Sequence, residues 1–380
     1  MKVKTIIVFI FITLCLTVNV SAQTTYDIEK EIESNVDIKS FYDALPDEAS
    51  ENIDQKILDE SSIVSSAKNI DGNIIGNYLK NSLINTVRKT IPALYPTIIT
   101  LIVISLINTV KNSFSDKSFS KTIELITSAV IILCLHKTLH KSANRVGTFL
   151  ECTNTLINAL LPTMTALYTL GGNASAVITN NASFSFIITF VNFIIQYMVT
   201  PILSISLGLT VASRIGKIKG CDKVNSLIKN FITVTLTTVV TLFSVFLLFK
   251  TNLSLATDGF AARTIKFAGS FIPVIGSPLG ETVRSVLSSL SLIKSSTGYV
   301  GIFIVFATTF PTLLHLIISK VSFELISAFA HILGNEKEGD IIKDLSAYYG
   351  YLLAVVCSVV ILFIFELIIF INISPALARS

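Results

Sequence analysis

The chain has 380 residues, 51% hydrophobic and only 14% charged, with a mean hydropathy of +0.71. A soluble domain carries charge on about a quarter of its residues, so this composition excludes an ordinary soluble enzyme and leaves most of the chain without a water-facing surface. The net charge of +4 hides a split: residues 23–88 hold 13 Asp/Glu against 6 Lys/Arg, more than half of the 25 acidic residues, and the remainder is basic and apolar.

The chain opens on Met1-Lys2-Val3-Lys4, a short basic run, followed by an apolar run over 6–20 and the small-residue triplet Val20-Ser21-Ala22. This pattern predicts an export signal over 1–22. An uncleaved anchor is the competing reading, although the run is short of the ~20 residues a span needs. Both readings place residues 23–88 outside the cytoplasm as a small acidic helical segment. Leu45, Ile53, Ile57, Leu58 and Ile63 recur at three-to-five spacing, and Pro46-Asp47-Glu48 reads as a helix start. Ile74, Ile75, Tyr78, Leu79, Ser82 and Leu83 predict an amphipathic helix leading into the membrane.

Residues 89–380 read as a multi-span membrane domain. Apolar runs at 91–110, 122–139, 184–212, 230–249, 299–319 and 348–373 predict helices, because backbone groups in lipid must be satisfied within the segment. Two further apolar stretches are interrupted. Residues 155–172 contain Pro162, Gly171 and Gly172, and residues 267–281 contain Pro273, Gly276, Pro278 and Gly280. These stretches correspond to each other. Lys137, Pro162 and Pro201 map onto Lys250, Pro273 and Pro311 at offsets of 113, 111 and 110 residues. The expected fold is all-α and polytopic, with a span/re-entrant/span unit duplicated at about 122–213 and 226–320 and a final span at 348–373. Such broken segments at matching positions are pointers to a pore or substrate path, which makes their prolines and glycines the conduit candidates.

Arg214, Lys217, Lys219, Lys223 and Lys229 form the strongest cationic loop, and Lys111, Lys117 and Lys121 form another. The positive-inside rule places both in the cytoplasm. That is met by six crossings with re-entrant broken segments. Full crossing by the broken segments gives eight and moves the stronger loop outside. Six crossings leave Lys137, Lys141 and Arg145 outside, against the rule.

No P-loop, GxSxG or HExxH pattern is present, and no enzymatic role or cofactor is expected. Cys134, Cys152, Cys221 and Cys357 are scattered, and His136 and His140, one helical turn apart, have no third ligand nearby, so no metal site is expected. Glu366 is a carboxylate inside the last span, a costly placement that marks a candidate ion or proton site with His315 or a cation as partner. Phe323, Ile326, Phe329 and Ile332 form an amphipathic stripe that reads as an interfacial helix.

The pattern resembles the stage III sporulation protein AE family of endospore-forming bacteria. The resemblance runs over essentially the whole chain. It rests on the export signal, the acidic segment, the spans and above all Phe271-Ile272-Pro273-Val274-Ile275-Gly276-Ser277-Pro278-Leu279-Gly280-Glu281, with Leu161-Pro162 before it. It implies a membrane component of a channel complex between mother cell and forespore, needed for sporulation after engulfment and seated in the outer forespore membrane. The implied partners are other proteins of that complex, including an ATPase and ring-forming membrane proteins. Besides these the lipid bilayer is a partner, and no nucleic acid is expected. The alternative from the residues is a stand-alone secondary transporter with Pro/Gly-broken helices along its substrate path.

Overall fold

The structure, a computed structural model, describes residues 63–111, 117–170, 182–216, 220–269 and 276–372. The export signal, most of the acidic segment, Gly171, Gly172 and Pro273 lie outside the described residues. Every regular element among the described residues is helical: α1 (Ile63–Asn69), α2 (Gly72–Thr90), α3 (Tyr95–Lys111), α4 (Lys117–Leu170), α5 (Ala182–Ile194), α6 (Thr200–Gly216), α7 (Cys221–Gly269), α8 (Gly276–Ile332) and α9 (Glu336–Asn372). Six stretches are long and apolar enough to cross a bilayer: Gly72–Val110, Thr122–Leu170, Ala182–Thr210, Lys223–Phe246, Ser291–Ile332 and Glu336–Ile371. They coincide with the six apolar runs of the sequence. The protein is an all-α polytopic membrane protein.

Local chemistry sets the helix ends and bends. Asp71 caps α2 by accepting from the Ile74 backbone N–H at 2.8 Å. Pro92 opens the 3₁₀ turn Pro92–Leu94 that joins α2 to α3, where its missing N–H costs nothing. Pro201 cannot donate to the carbonyl four residues back, and the helix widens immediately before it into the π turn Ile195–Val199. Pro162 has no such effect on element continuity. Residues 155–170, expected to be broken, are helix throughout, with Pro162 on the exposed side and Leu160, Met164, Leu167 and Tyr168 packed in the core.

The core is the antiparallel pair α8–α9: 67% of the apolar stretch within Ser291–Ile332 and 61% of that within Glu336–Ile371 are buried, against 11% for the stretch within Lys223–Phe246 of α7. Small residues let the two backbones close. A Cβ on Gly298 would collide with the Ile371 side chain, and one on Gly301 would touch Leu160 and Leu367 at 3.5 Å. Gly334, at φ +78°, turns α8 into α9, a conformation L side chains rarely adopt. The expected interfacial helix over 320–332 is instead the uninterrupted continuation of α8. Phe323 and Ile326 are buried, while Ile332 is 82% exposed.

The connections between α3 and α4 and between α8 and α9 lie at one end of the bundle. Asn108 Nδ2 donates to Asn335 Oδ1 (2.9 Å), Ser105 Oγ donates to the Leu333 carbonyl (3.2 Å), and Lys337 pairs with Glu124. Thr210 and Lys229, which flank the α6–α7 turn, line one cavity with Ile341 and Asp344 of α9. All three cation-bearing turns therefore share an end.

Candidate functional site

Ionisable and hydroxyl side chains inside the bundle stand out, because burying them in a lipid-surrounded core is costly without partners. They gather in two layers. The lower layer centres on His315 of α8. Thr90 Oγ1 lies 3.0 Å from its Nδ1, and Ser142 Oγ lies 3.0 Å from its Nε2. Ser142 Oγ also lies 2.9 Å from the Tyr349 hydroxyl and donates to the Thr138 carbonyl at 3.0 Å. A serine hydroxyl has one proton. With that proton given to Thr138, Ser142 accepts from His315 Nε2–H and from Tyr349, and Thr90 donates to Nδ1. Four helices, α2, α4, α8 and α9, thus meet at one buried imidazole. Thr90, Ser142, His315 and Tyr349 are 3%, 0%, 7% and 0% exposed.

The upper layer holds Glu366 of α9 and Lys294 of α8, 1% and 3% exposed. The Lys294 ammonium lies 5.3 Å from the Tyr168 ring centre and 5.2 Å from that of Phe370, and the two rings meet edge to face at 5.4 Å. Phe370 stands one helical turn beyond Glu366. A cation faces two aromatic rings there, with a carboxylate one turn away.

The structure separates two residues that the sequence suggested as partners. Tyr349 stands beside His315, and Glu366 lies 17 residues further along α9, about 25 Å at 1.5 Å per residue. Glu366 does not pair with His315. The buried cation of its layer is Lys294, which packs on the Phe370 ring one helical turn beyond Glu366 and which the sequence reading passed over. A lone lysine between Ile293 and the apolar run beginning at Val300 was the available signal. Among the conduit candidates, Pro162 lies in the α4 interior, and Gly276, Pro278 and Gly280 lie in the first turns of α8. Gly171, Gly172 and Pro273 fall outside the described residues. His136 and His140 stack 6.3 Å apart on the exposed side of α4, and no group of three metal-ligating side chains occurs among the described residues.

A groove of about 490 Å³ opens between α7 and α9 beside the lower layer. Thr233, Thr237 and Thr241 form one wall, Gly350, Ala354 and Ser358 the other, and Lys320 closes one end. Ser346 links that end to the layer: it donates to the Lys320 carbonyl at 3.2 Å and lies 3.0 Å from Glu324 Oε1, one turn from Tyr349.

Comparison with known proteins gives a single consistent result. The chain is 25% identical to the stage III sporulation protein AE of Bacillus subtilis (strain 168) over 255 residues, which span 67% of this chain and 64% of that relative, slightly less than two thirds of its length. No solved structure matches. The family described as Stage III sporulation protein AE matches residues 55–374, from before α1 to the end of α9, so this six-span helical chain belongs to the stage III sporulation protein AE family.

Proposed function

We propose that the protein is a membrane component of the channel complex joining mother cell and forespore, seated in the mother-cell (outer forespore) membrane and required after engulfment. Family membership over residues 55–374 is the observation that carries this reading and gives it a role in sporulation. The partners proposed with it are the other proteins of the complex, including an ATPase and ring-forming membrane proteins. The two Pro/Gly-rich stretches, with Pro162, Gly171 and Gly172 in one and Pro273, Gly276, Pro278 and Gly280 in the other, are the proposed conduit elements. Their matching place in the two repeated sequence units, at offsets of 110 to 113 residues, supports a common role.

The test is genetic and cytological. Deletion of the gene is expected to arrest forespores after engulfment is complete, and substitution of Pro273 or Gly276 by leucine to leave the protein in the membrane while development stops. Normal sporulation by the deletion strain removes the reading. Normal sporulation by every Pro273 and Gly276 variant removes the conduit part of it alone.

The layer that holds the buried Lys294 and Glu366 favours a second reading, an ion-coupled transporter, because intramembrane ionisable residues mark ion and proton paths. Purified protein in liposomes distinguishes the two. Cation or proton flux abolished by Glu366→Gln supports the transporter, and its absence supports the complex component.

A further inference from the structure

The second half of α4 is polar on its outer face. Thr148, Glu151, Thr155, Asn158, Pro162 and Thr165 recur at spacings of three and four residues, so they form one stripe along the helix. Thr165 is half-buried and the others are exposed. The opposite face carries Leu150, Ile157, Leu160 and Met164, all in the core. Between Leu133 and Leu170, α4 exposes no large apolar side chain. From Thr148 to Thr165 the stripe runs about 26 Å at 1.5 Å per residue, most of the ~30 Å of a hydrocarbon core.

Contacts fix its depth. Ser142 meets Tyr349 and Tyr168 meets Phe370, so this part of α4 stands beside the apolar run 348–373 of α9. Asn192 of α5 donates to Asn154 of α4 at 2.9 Å, and Phe184 of α5 meets Phe363 of α9 edge to face at 5.3 Å. At that same level α5 exposes Phe186, Phe190, Phe193 and Tyr197. One depth of the bundle therefore shows aromatic rings suited to lipid on α5, and hydroxyls, an amide and a carboxylate on α4. The polar surface recurs on α2, which Tyr78 ties to the Ala307 carbonyl of α8: Asn73, Asn77, Lys80 and Asn81 are exposed.

Threonine hydroxyls in a span can bond their own helix. Thr155 donates to the Glu151 carbonyl at 3.2 Å, and Thr165 donates to the Leu161 carbonyl at 2.8 Å. The Glu151 carboxylate and the Asn158 amide face outward, where lipid offers them nothing. A dry partner helix would bury the carboxylate at a cost that offsets the packing gained. Water meets both groups. We propose that the α4 stripe is the wall of a water-filled passage through the membrane, closed by the same face of further copies of this chain. Copies inserted with one topology stand parallel and at equal depth, so a cyclic arrangement sets each stripe opposite its own counterpart. The α5 aromatics are left to face lipid. This gives a wall to the conduit proposed above, and only its role in sporulation rests on that reading.

The test uses the full chain in a background freed of native cysteines, made alone in a host that does not sporulate, so its outcome is separate from the sporulation phenotype. A thiol in lipid stays protonated and inert to maleimide, whereas one facing water ionises and reacts. Glu151→Cys, Thr155→Cys and Asn158→Cys are expected to react with a hydrophilic maleimide in native membranes about tenfold or more faster than Phe186→Cys, Phe190→Cys and Phe193→Cys, which share their depth. Bifunctional maleimides of graded length are expected to join Asn158→Cys chain to chain and to leave Phe190→Cys single. Fast reaction on both helices would place this level outside the bilayer, and slow reaction on both would turn the stripe to lipid; either overturns the proposal. Fast reaction on α4 with no chain-to-chain product at Glu151, Thr155 or Asn158 hands the other wall to a different protein and overturns closure by copies.

Discussion

At the scale of single residues, the two polar layers answer to substitution differently. His315 supplies one donor and one acceptor to hydroxyls from separate helices. His315→Leu orphans both partners, and each buried unsatisfied group costs about 1–3 kcal/mol, so this variant is expected to unfold at clearly lower temperature in detergent. His315→Gln keeps a donor and an acceptor and is expected to lose less. Equal loss by the two would show that ring volume, not hydrogen bonding, matters there. Lys294 and Glu366 are expected to behave as a coupled pair. Removing one charge of a buried pair costs about 3–5 kcal/mol because the other is left uncompensated, whereas removing both is often tolerated. Lys294→Met and Glu366→Gln should each destabilise strongly, and the double variant should be more stable than either. Strict additivity in that cycle would mean the two charges do not sense each other.

Helices and turns were legible in the sequence where hydrophobic period and length were decisive. The six apolar runs became the six long helices, and the stripe from Ile74 to Leu83 became α2. Which face of α2 packs was less legible. Tyr78, Ser82, Thr86 and Thr90 are its buried residues, while Leu83 and Ile84 are about half exposed. In a lipid surround the usual inside-outside sorting of polarity weakens, because apolar side chains gain little by leaving lipid and hydroxyls gain by finding helix partners. Tyr78 shows the gain, donating to the Ala307 carbonyl at 2.6 Å and meeting Phe303 and Phe306 edge on. The layer that holds Lys294 and Glu366 was hidden for another reason: 72 residues separate them in sequence, and only the antiparallel register of α8 and α9 brings Lys294 onto Phe370, one turn from Glu366. That register is set by Gly334 and Asn335, whose side-chain Nδ2 donates to the Leu101 carbonyl at 3.1 Å while Oδ1 accepts from Asn108. Gly334→Ala forces a left-handed residue to carry a Cβ, at a cost of about 1–2 kcal/mol, and is expected to lower the unfolding temperature without changing helix content by circular dichroism. Gly298→Val, which collides with Ile371, is expected to do more damage than Gly301→Ala, whose nearest contacts are ordinary at 3.5 Å.

For the molecule as a whole, helix length and turn position constrain its seat in the membrane. At 1.5 Å per residue the 54 residues of α4 and 57 of α8 reach about 80 Å or more, against a hydrocarbon core of about 30 Å. Both helices must therefore project well beyond the bilayer or tilt steeply within it, so their polar middles and ends define where the membrane stops. The three turns at one end carry Lys111, Lys117, Lys121, Lys217, Lys219 and Lys337, and that end is expected to be cytoplasmic. In a background freed of native cysteines, single cysteines at Lys80 on α2 and at Lys337 in the α8–α9 turn are informative, because both positions are accessible to a reagent. A membrane-impermeant maleimide applied outside intact cells is expected to label position 80 and spare 337, and permeabilisation is expected to expose 337. Cysteines at Gly172 and Gly276 extend the test to the connections between α4 and α5 and between α7 and α8. Labelling of both from the outside follows if each helix pair closes on that side. Labelling from opposite sides would break the alternation of six crossings and, with it, the correspondence between the two Pro/Gly-rich stretches.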